Sequence, residues 1–236
     1  MAESLRMLEI AAESGTTEIV ATPHANLEYE FDPAVIAEKL KEVRAANTTA
    51  VIIHQGCDFH LDYDLIQDAV AHPRKYTING GSYLLIELPE NVPVQTVPPI
   101  LEALMRVRMI PILTHPERYF GLRGKEAAVR DWVERGCLVQ VTGQSLLGVF
   151  GSHARKMAER LLDEGIVHFI ASDAHQSRGR TPRLTEARAH VADRKGEDLA
   201  TLLFEKNPKA VLLSEPLPKR EKQATPKRRR WFSVFG

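Results

Sequence analysis

In the stretch IASDAHQSRGR, residues 170–180, Asp173 and His175 place a carboxylate and an imidazole two positions apart, and Arg180 closes the segment. That pairing at the end of an apolar run suits a divalent metal. Four other apolar runs end in a similar way. VATPH ends in His24, GCDFH offers Asp58 and His60, LLIELP presents Glu87, and ILTHPER carries His115 and Arg118. One histidine at a strand end is more often a structural residue than a ligand. Five run ends carrying His, Asp or Glu in succession point instead to one shared site. Mixed imidazole and carboxylate ligands favour Mn, Fe or Zn over Ca or Mg, and a bridging carboxylate suits more than one ion. Arg118 and Arg180 have two readings, as charge balance for the carboxylates or as a clamp on an oxyanion such as phosphate.

The elements that must position these residues follow a regular rhythm. EIAAESG precedes TTEIVAT, WVERG precedes CLVQVT, and RLLDEG precedes IVHFIAS. Each is a helix end, a glycine suited to the left-handed C-terminal position, and then a β-rich run. FDPAVIAEKLKEVRAA is another helix, with Asp32 as N-cap and Pro33 in its first turn. AVIIHQGCDF, YLLIEL and MIPILTHP complete six strand-like segments, nearly continuous in apolar residues as expected of parallel strands covered on both faces. Alternation of this kind predicts an α/β fold with a parallel sheet, for which a barrel is the natural closure. In such folds chemistry collects at the carboxyl ends of the strands. The chain opens on a helix with no strand before it, so either the sheet is open there or a first strand is missing. His54, His72, His153, His168 and His190 read as structural or exposed, and Glu90 and Glu117 as surface or supporting residues.

Composition bounds the partners. The chain has 236 residues, 44% of them hydrophobic and 26% charged, as in ordinary globular proteins. No run is apolar enough to cross a bilayer and no signal-like pattern opens the chain, so a reducing, cytoplasmic setting is expected. Cys57 and Cys137 are too few for a disulfide framework. The zero formal charge conceals an asymmetry. KREKQATPKRRR, residues 219–230, holds seven Lys or Arg against one Glu; removing them from 31 and 31 leaves 24 basic and 30 acidic residues, a remainder of −6. Residues 1–214 are expected to form the folded domain and 215–236 a basic, solvated tail. A sharper reading of 219–235 notes RRRWFSVF, suited to an anionic membrane surface or a docking partner. No nucleic-acid partner is expected, because the folded part adds nothing to that basic surface.

EIVATPH, YLLIELP, PILTHPER, LVQVTGQSLLGVFG and VHFIASDAHQSRGR together resemble the bacterial manganese-dependent protein-tyrosine phosphatases of capsule and exopolysaccharide operons. These belong to the polymerase-and-histidinol-phosphatase superfamily, and the resemblance spans about residues 3–213 in order. It implies a distorted (β/α)7 barrel and a cluster of up to three metals, commonly Mn, with Fe or Zn as alternatives. It also implies hydrolysis of protein phosphotyrosine without a cysteine nucleophile. By position, His24, Glu87, His115, Asp173 and His175 fall on metal ligands, while Arg118 and Arg180 fall on phosphate-holding arginines. Asp58 stands where the family usually has Glu within GQE. This sequence reads GCD there, with His60 as a second candidate donor.

The resemblance further implies a tyrosine autokinase with a phosphorylated tail as partner, at the inner face of the cell membrane, and it allows an oligomer. Family members begin with a strand ending in His-x-His, and this sequence matches just after it. The expected missing strand and the missing ligand pair are then one segment. Two alternatives stay open: a phosphomonoesterase of the same superfamily acting on a small molecule, and a catalytically impaired phosphate-binding regulatory protein.

Overall fold

The computed structural model describes residues 1–90 and 92–219, so nearly all of the basic-aromatic segment 219–235 lies outside the described residues. Strands and helices alternate as the sequence rhythm predicts. Helix α1 (Ala2–Glu13) leads to β1 (Glu18–Ala21) and β2 (His24–Ala25), and α2 (Pro33–Ala46) leads to β3 (Ile52–Gln55) and β4 (Asp58–His60). After α3 (Tyr63–Ala71) come β5 (Tyr83–Glu87), α4 (Val97–Arg106), β6 (Ile110–Thr114), α5 (Glu126–Glu134) and β7 (Leu138–Thr142). The short α6 (Gly143–Leu146), α7 (Gly151–Asp163), β8 (Phe169–Ala171) and α8 (Thr185–Lys195) follow.

Local signals account for these boundaries. The Asp32 side chain caps α2 by accepting from the Ala34 and Val35 amides, with Pro33 at its first turn. Gly15, Gly136 and Gly165, the glycines of the three repeated phrases, all have positive φ, which a side chain would resist. Among the described residues no helix is long and apolar enough to cross a membrane.

Every strand pairing is parallel, in a six-stranded sheet of order β2-β4-β5-β6-β7-β8 and a two-stranded sheet β1-β3. The first two predicted strands are therefore each bent into two. The bends face one another: Pro23 cannot donate a ladder hydrogen bond, and Gly56 lies so close that a Cβ there would meet Val20 Cγ1 at 2.7 Å. Hydrogen bonding nonetheless runs through the bend, from Gly56 N–H to Ala21 O (2.9 Å) and from Asp58 N–H to Pro23 O (3.0 Å).

The strands of the large sheet follow one another in sequence order, as in a barrel wall, with β3 set aside in the smaller sheet. Among the described residues, however, no pairing joins β8 to β2, so the strands form an open wall and not a closed barrel. Helix α1 bonds across to the segment after β8. Glu3 accepts from the Ser177 amide, Glu13 pairs with Arg183 at 2.9 Å, and Thr185 Oγ1 donates to Ser14 O.

Strand alternation divides the core. Leu84, Ile86, Leu113, Val139, Val141 and Ile170 face the helices, packing with Leu101 of α4, Trp132 of α5, Leu161 of α7 and Val191 of α8. Tyr83, Leu85, Ile112 and Phe169 face the other way with Val20 and Leu138, and Val211, Leu212 and Leu217 pack against them. Tyr83 Oη donates to Glu215 O at 2.6 Å, which ties that returning segment to the sheet. Glu87 continues the Tyr83–Leu85 face at the carboxyl end, so the polar cluster described next sits above an apolar floor.

Candidate metal centre

Register brings the polar strand ends together. His24 is paired with Asp58 across β2 and β4, and His60 with Glu87 across β4 and β5. All four lie on the same face of the sheet, because Ala25, Phe59 and Ile86 between them pack into the helix-facing core. Their ligand-type atoms form two overlapping triads, His24–His60–Glu87 and Asp58–Glu87–His115, each with those atoms within 4.8 Å of one another. Glu87 belongs to both. Its Oε2 lies 2.7 Å from His60 Nε2 and 3.4 Å from His24 Nδ1, while its Oε1 lies 3.5 Å from His115 Nε2. Asp58 Oδ2 completes the group at 3.4 Å from His24 Nδ1.

These atoms converge without being satisfied by one another. Among the described residues, His24 Nδ1, His60 Nε2, Asp58 Oδ1 and Glu87 Oε2 are all buried and lack an aligned hydrogen-bond partner, even the pair only 2.7 Å apart. Buried polar atoms are ordinarily paired, and lone pairs aimed at a common point are what a cation needs. Burial lowers the pKa of His24, against the opposing charge of Glu87, and likewise that of His115. Both imidazoles are thereby kept neutral with a free lone pair. Burial and then the charge of Glu87 push Asp58 up to about 8. Burial also disfavours the Glu87 carboxylate, but His60 and His115 outweigh it and bring Glu87 down to about 2. Two carboxylates this close do not both ionise readily without added positive charge. The donor set therefore fits a metal of the Mn, Fe or Zn kind.

Asp173 and His175 approach from the loop after β8, outside either triad. The His175 ring lies 6.1 Å from that of His24, and Asp173 Oδ2 accepts from both Arg118 and Arg180. Backbone strain marks both loops, since His115 and Asp173 take positive φ, of 34° and 48°. The arginines thus share one carboxylate, and Arg180 keeps a buried Nε–H with no partner among the described residues. A phenylalanine backs both: Phe150, in the loop before α7, lies 4.5 Å from the Arg118 guanidinium and 5.9 Å from that of Arg180. Gln144 Nε2 donates to Gly179 O and Thr181 O, holding the Arg180 segment from the same loop region.

Three residues have more prominent places than the sequence suggests. His60 stands in a triad, because its register partner is Glu87. Phe150 is the arginine platform. Glu117 is buried and not at the surface: its Oε1 accepts from the Thr142 amide at 3.0 Å and from Ser145 Oγ at 2.7 Å. Burial pushes this carboxyl up to about 7, against those two hydrogen bonds. His54, His72 and His168 have the structural roles expected, with Glu18, with Asp68 and with the Val139 amide.

The comparisons with known proteins accord with this arrangement. The chain belongs to the capsular polysaccharide synthesis family CpsB/CapC, whose profile matches residues 1–213. It is 32% identical to CapC of Staphylococcus aureus, over 99% of this chain and 92% of that protein. It is 29% identical to the tyrosine-protein phosphatase YwqE of Bacillus subtilis (strain 168), again over 99% and 92%. Among solved structures it superposes with a TM-score of 0.83 and 28% identity, over 94% of this chain and 92% of the other. That match belongs to work on YwqE from Bacillus subtilis and CpsB from Streptococcus pneumoniae, described as unique metal-dependent tyrosine phosphatases.

Because Glu87 serves both triads and His60 only one, their removal should differ. Glu87→Gln is expected to strip the purified protein of most bound metal, whereas His60→Ala should lose about one equivalent. Elemental analysis per chain checks this, and unchanged stoichiometry in Glu87→Gln would count against a shared ligand.

Proposed function

We propose that this protein is a metal-dependent protein-tyrosine phosphatase of capsule or exopolysaccharide synthesis, hydrolysing phosphotyrosine on a tyrosine autokinase. The observation that carries the reading is one strand-end cluster holding two donor triads joined at Glu87, with a pair of arginines turned toward it. Membership of the CpsB/CapC family and the phosphatase relatives support it. His24, Asp58, His60, Glu87 and His115 would hold metal, and Asp173 and His175 would add donors from the β8 loop. The donor set fits Mn, Fe or Zn alike, and the resemblance favours manganese among them. The sequential strand order supports a (β/α)7 barrel as the parent architecture, and a cytoplasmic setting fits the autokinase substrate.

A metal held there supplies positive charge to the phosphoryl group and lowers the pKa of a bound water toward neutrality. The chain's own groups do the rest. Arg118 and Arg180 present guanidinium forks that match two phosphoryl oxygens. Phe150 lies against both guanidiniums and would restrict their movement. Arg180 Nε–H is a donor that no group among the described residues satisfies, and a phosphoryl oxygen is the partner it suits. Asp173 keeps the two arginines together between turnovers, and His24 and His115 stay neutral so that they can bind metal. The tyrosine leaving group has a pKa of about 10, so its departure needs only modest protonation.

Thiol chemistry is a poor rival. Cys57 and Cys137 are both buried and unpaired, burial pushes the Cys57 thiol up and that of Cys137 to about 12, and neither has an arginine at the spacing of cysteine-dependent phosphatases. Chelation should therefore abolish hydrolysis of a phosphotyrosyl peptide, Mn should restore it, and iodoacetamide should leave it unchanged. Full activity after exhaustive chelation would sink the proposal; activity on a small phosphomonoester alone would favour the small-molecule reading.

Arg180→Ala separates a clamp from mere charge balance. A clamp predicts a kcat loss equivalent to roughly 2.7–4 kcal/mol, as for one strong oxyanion donor, with metal content intact and little rescue by Lys. Charge balance predicts metal loss in step with activity loss, which kinetics and elemental analysis on one sample would reveal.

A further inference from the structure

Five of the nine large apolar side chains exposed among the described residues stand on connections at the cluster's end of the sheet. Leu27 and Tyr29 follow His24, Tyr63 opens the helix after His60, Phe120 follows Arg118, and Val149 precedes Phe150. Their exposure runs from 54% for Tyr29 to 83% for Leu27, so nothing among the described residues covers them. Large exposed apolar groups concentrated on the connections at one end of a sheet mark a surface that another molecule covers. The charges between them are segregated. Exposed Glu28, Glu30 and Asp64 lie on the β2 and β4 side, and exposed Arg123, Lys125 and Arg178 on the β6 and β8 side. Arg123 lies over the Phe120 ring at 4.4 Å, joining an aromatic face to a cation.

We infer that these side chains form a docking rim for an extended peptide whose phosphotyrosine enters the cluster and whose neighbouring residues are aromatic or aliphatic. The inference rests on the phosphatase reading and adds how a protein substrate is chosen. A small phosphomonoester would be spanned by the cluster and its arginines, and would not reach side chains carried on four separate connections. An anionic membrane fits less well, because the acidic half of the rim would be repelled by it. The segregation of charge also orients the peptide, with a basic flank toward Glu28, Glu30 and Asp64 and an acidic flank toward Arg123 and Lys125.

The test compares three substrates: p-nitrophenyl phosphate, a phosphotyrosyl peptide flanked by aromatic residues, and the same peptide flanked by glycine and serine. Wild-type protein should prefer the aromatic-flanked peptide. Tyr63→Ser and Phe120→Ser should each lower kcat/KM for that peptide on the order of tenfold, mainly through KM, as for loss of an aromatic anchor. Turnover of p-nitrophenyl phosphate should stay within about twofold, and Ile52→Ser, exposed at the start of β3, should alter none of the three. Equal wild-type rates on the two peptides, or parallel losses on all three substrates, would overturn the rim while leaving the phosphatase reading intact. Hydrolysis of p-nitrophenyl phosphate without either peptide would overturn both. A drop in assembly size in Tyr63→Ser by light scattering, with peptide kinetics unchanged, would assign the rim to a second copy of the chain instead.

Discussion

The site depends on one carboxylate. Glu87 ends the central strand of the polar face, and its two oxygens look toward different histidines, Oε2 toward His60 and His24 and Oε1 toward His115. Asp58 joins it from the neighbouring strand, with Asp173 beyond, so negative charge is concentrated in a half-buried place. Such a concentration is costly unless positive charge offsets it. The protein supplies part of the offset as Arg118 and Arg180, both on Asp173. The remainder is what a bound cation would offset, and a phosphoryl group would then be drawn to whatever positive charge that cation left unspent.

The fold keeps that arrangement fixed. Parallel pairing sets His60 beside Glu87 and His24 beside Asp58, and alternation puts all four on one face. A shift of one residue in β4 would turn Asp58 and His60 into the helix-facing core and bring Phe59 into the site. Phe59, packed edge-on against Tyr76 at 5.0 Å, is completely buried and resists that shift. Hydrophobic packing on one face therefore holds the ligand register on the other. Buried Glu117 serves the same end, since its hydrogen bonds to Thr142 and Ser145 tie the His115–Arg118 turn to the loop region that carries Phe150.

Much of this was legible in the sequence because the signals were local. Glycines closed α1, α5 and α7 where the repeated phrases placed them, Asp32 capped α2, and the strand ends carried the polar residues that form the cluster. What escaped depended on non-local partners. The near-continuous apolar run hid the bend at Pro23 and Gly56, which becomes apparent only when the two strands lie side by side. His60 and Asp58 could not be told apart as donors without knowing that Glu87 sits across from one of them; the structure brings both into the cluster. Glu117 follows a proline in a polar turn and looked like a supporting or surface residue, because Thr142 and Ser145 lie on another element. Phe150 lies within the LVQVTGQSLLGVFG motif, but nothing local marks it as an arginine platform, since its partners come from two distant loops.

The central claim is that one carboxylate is common to two cation sites. Electron paramagnetic resonance of protein loaded stepwise with Mn(II) tests it most directly. The account predicts that, beyond one equivalent, the spectrum of an isolated ion gives way to that of exchange-coupled manganese, and that Glu87→Gln abolishes the coupling. Magnetically isolated ions at every loading, or coupling that survives in Glu87→Gln, would contradict it.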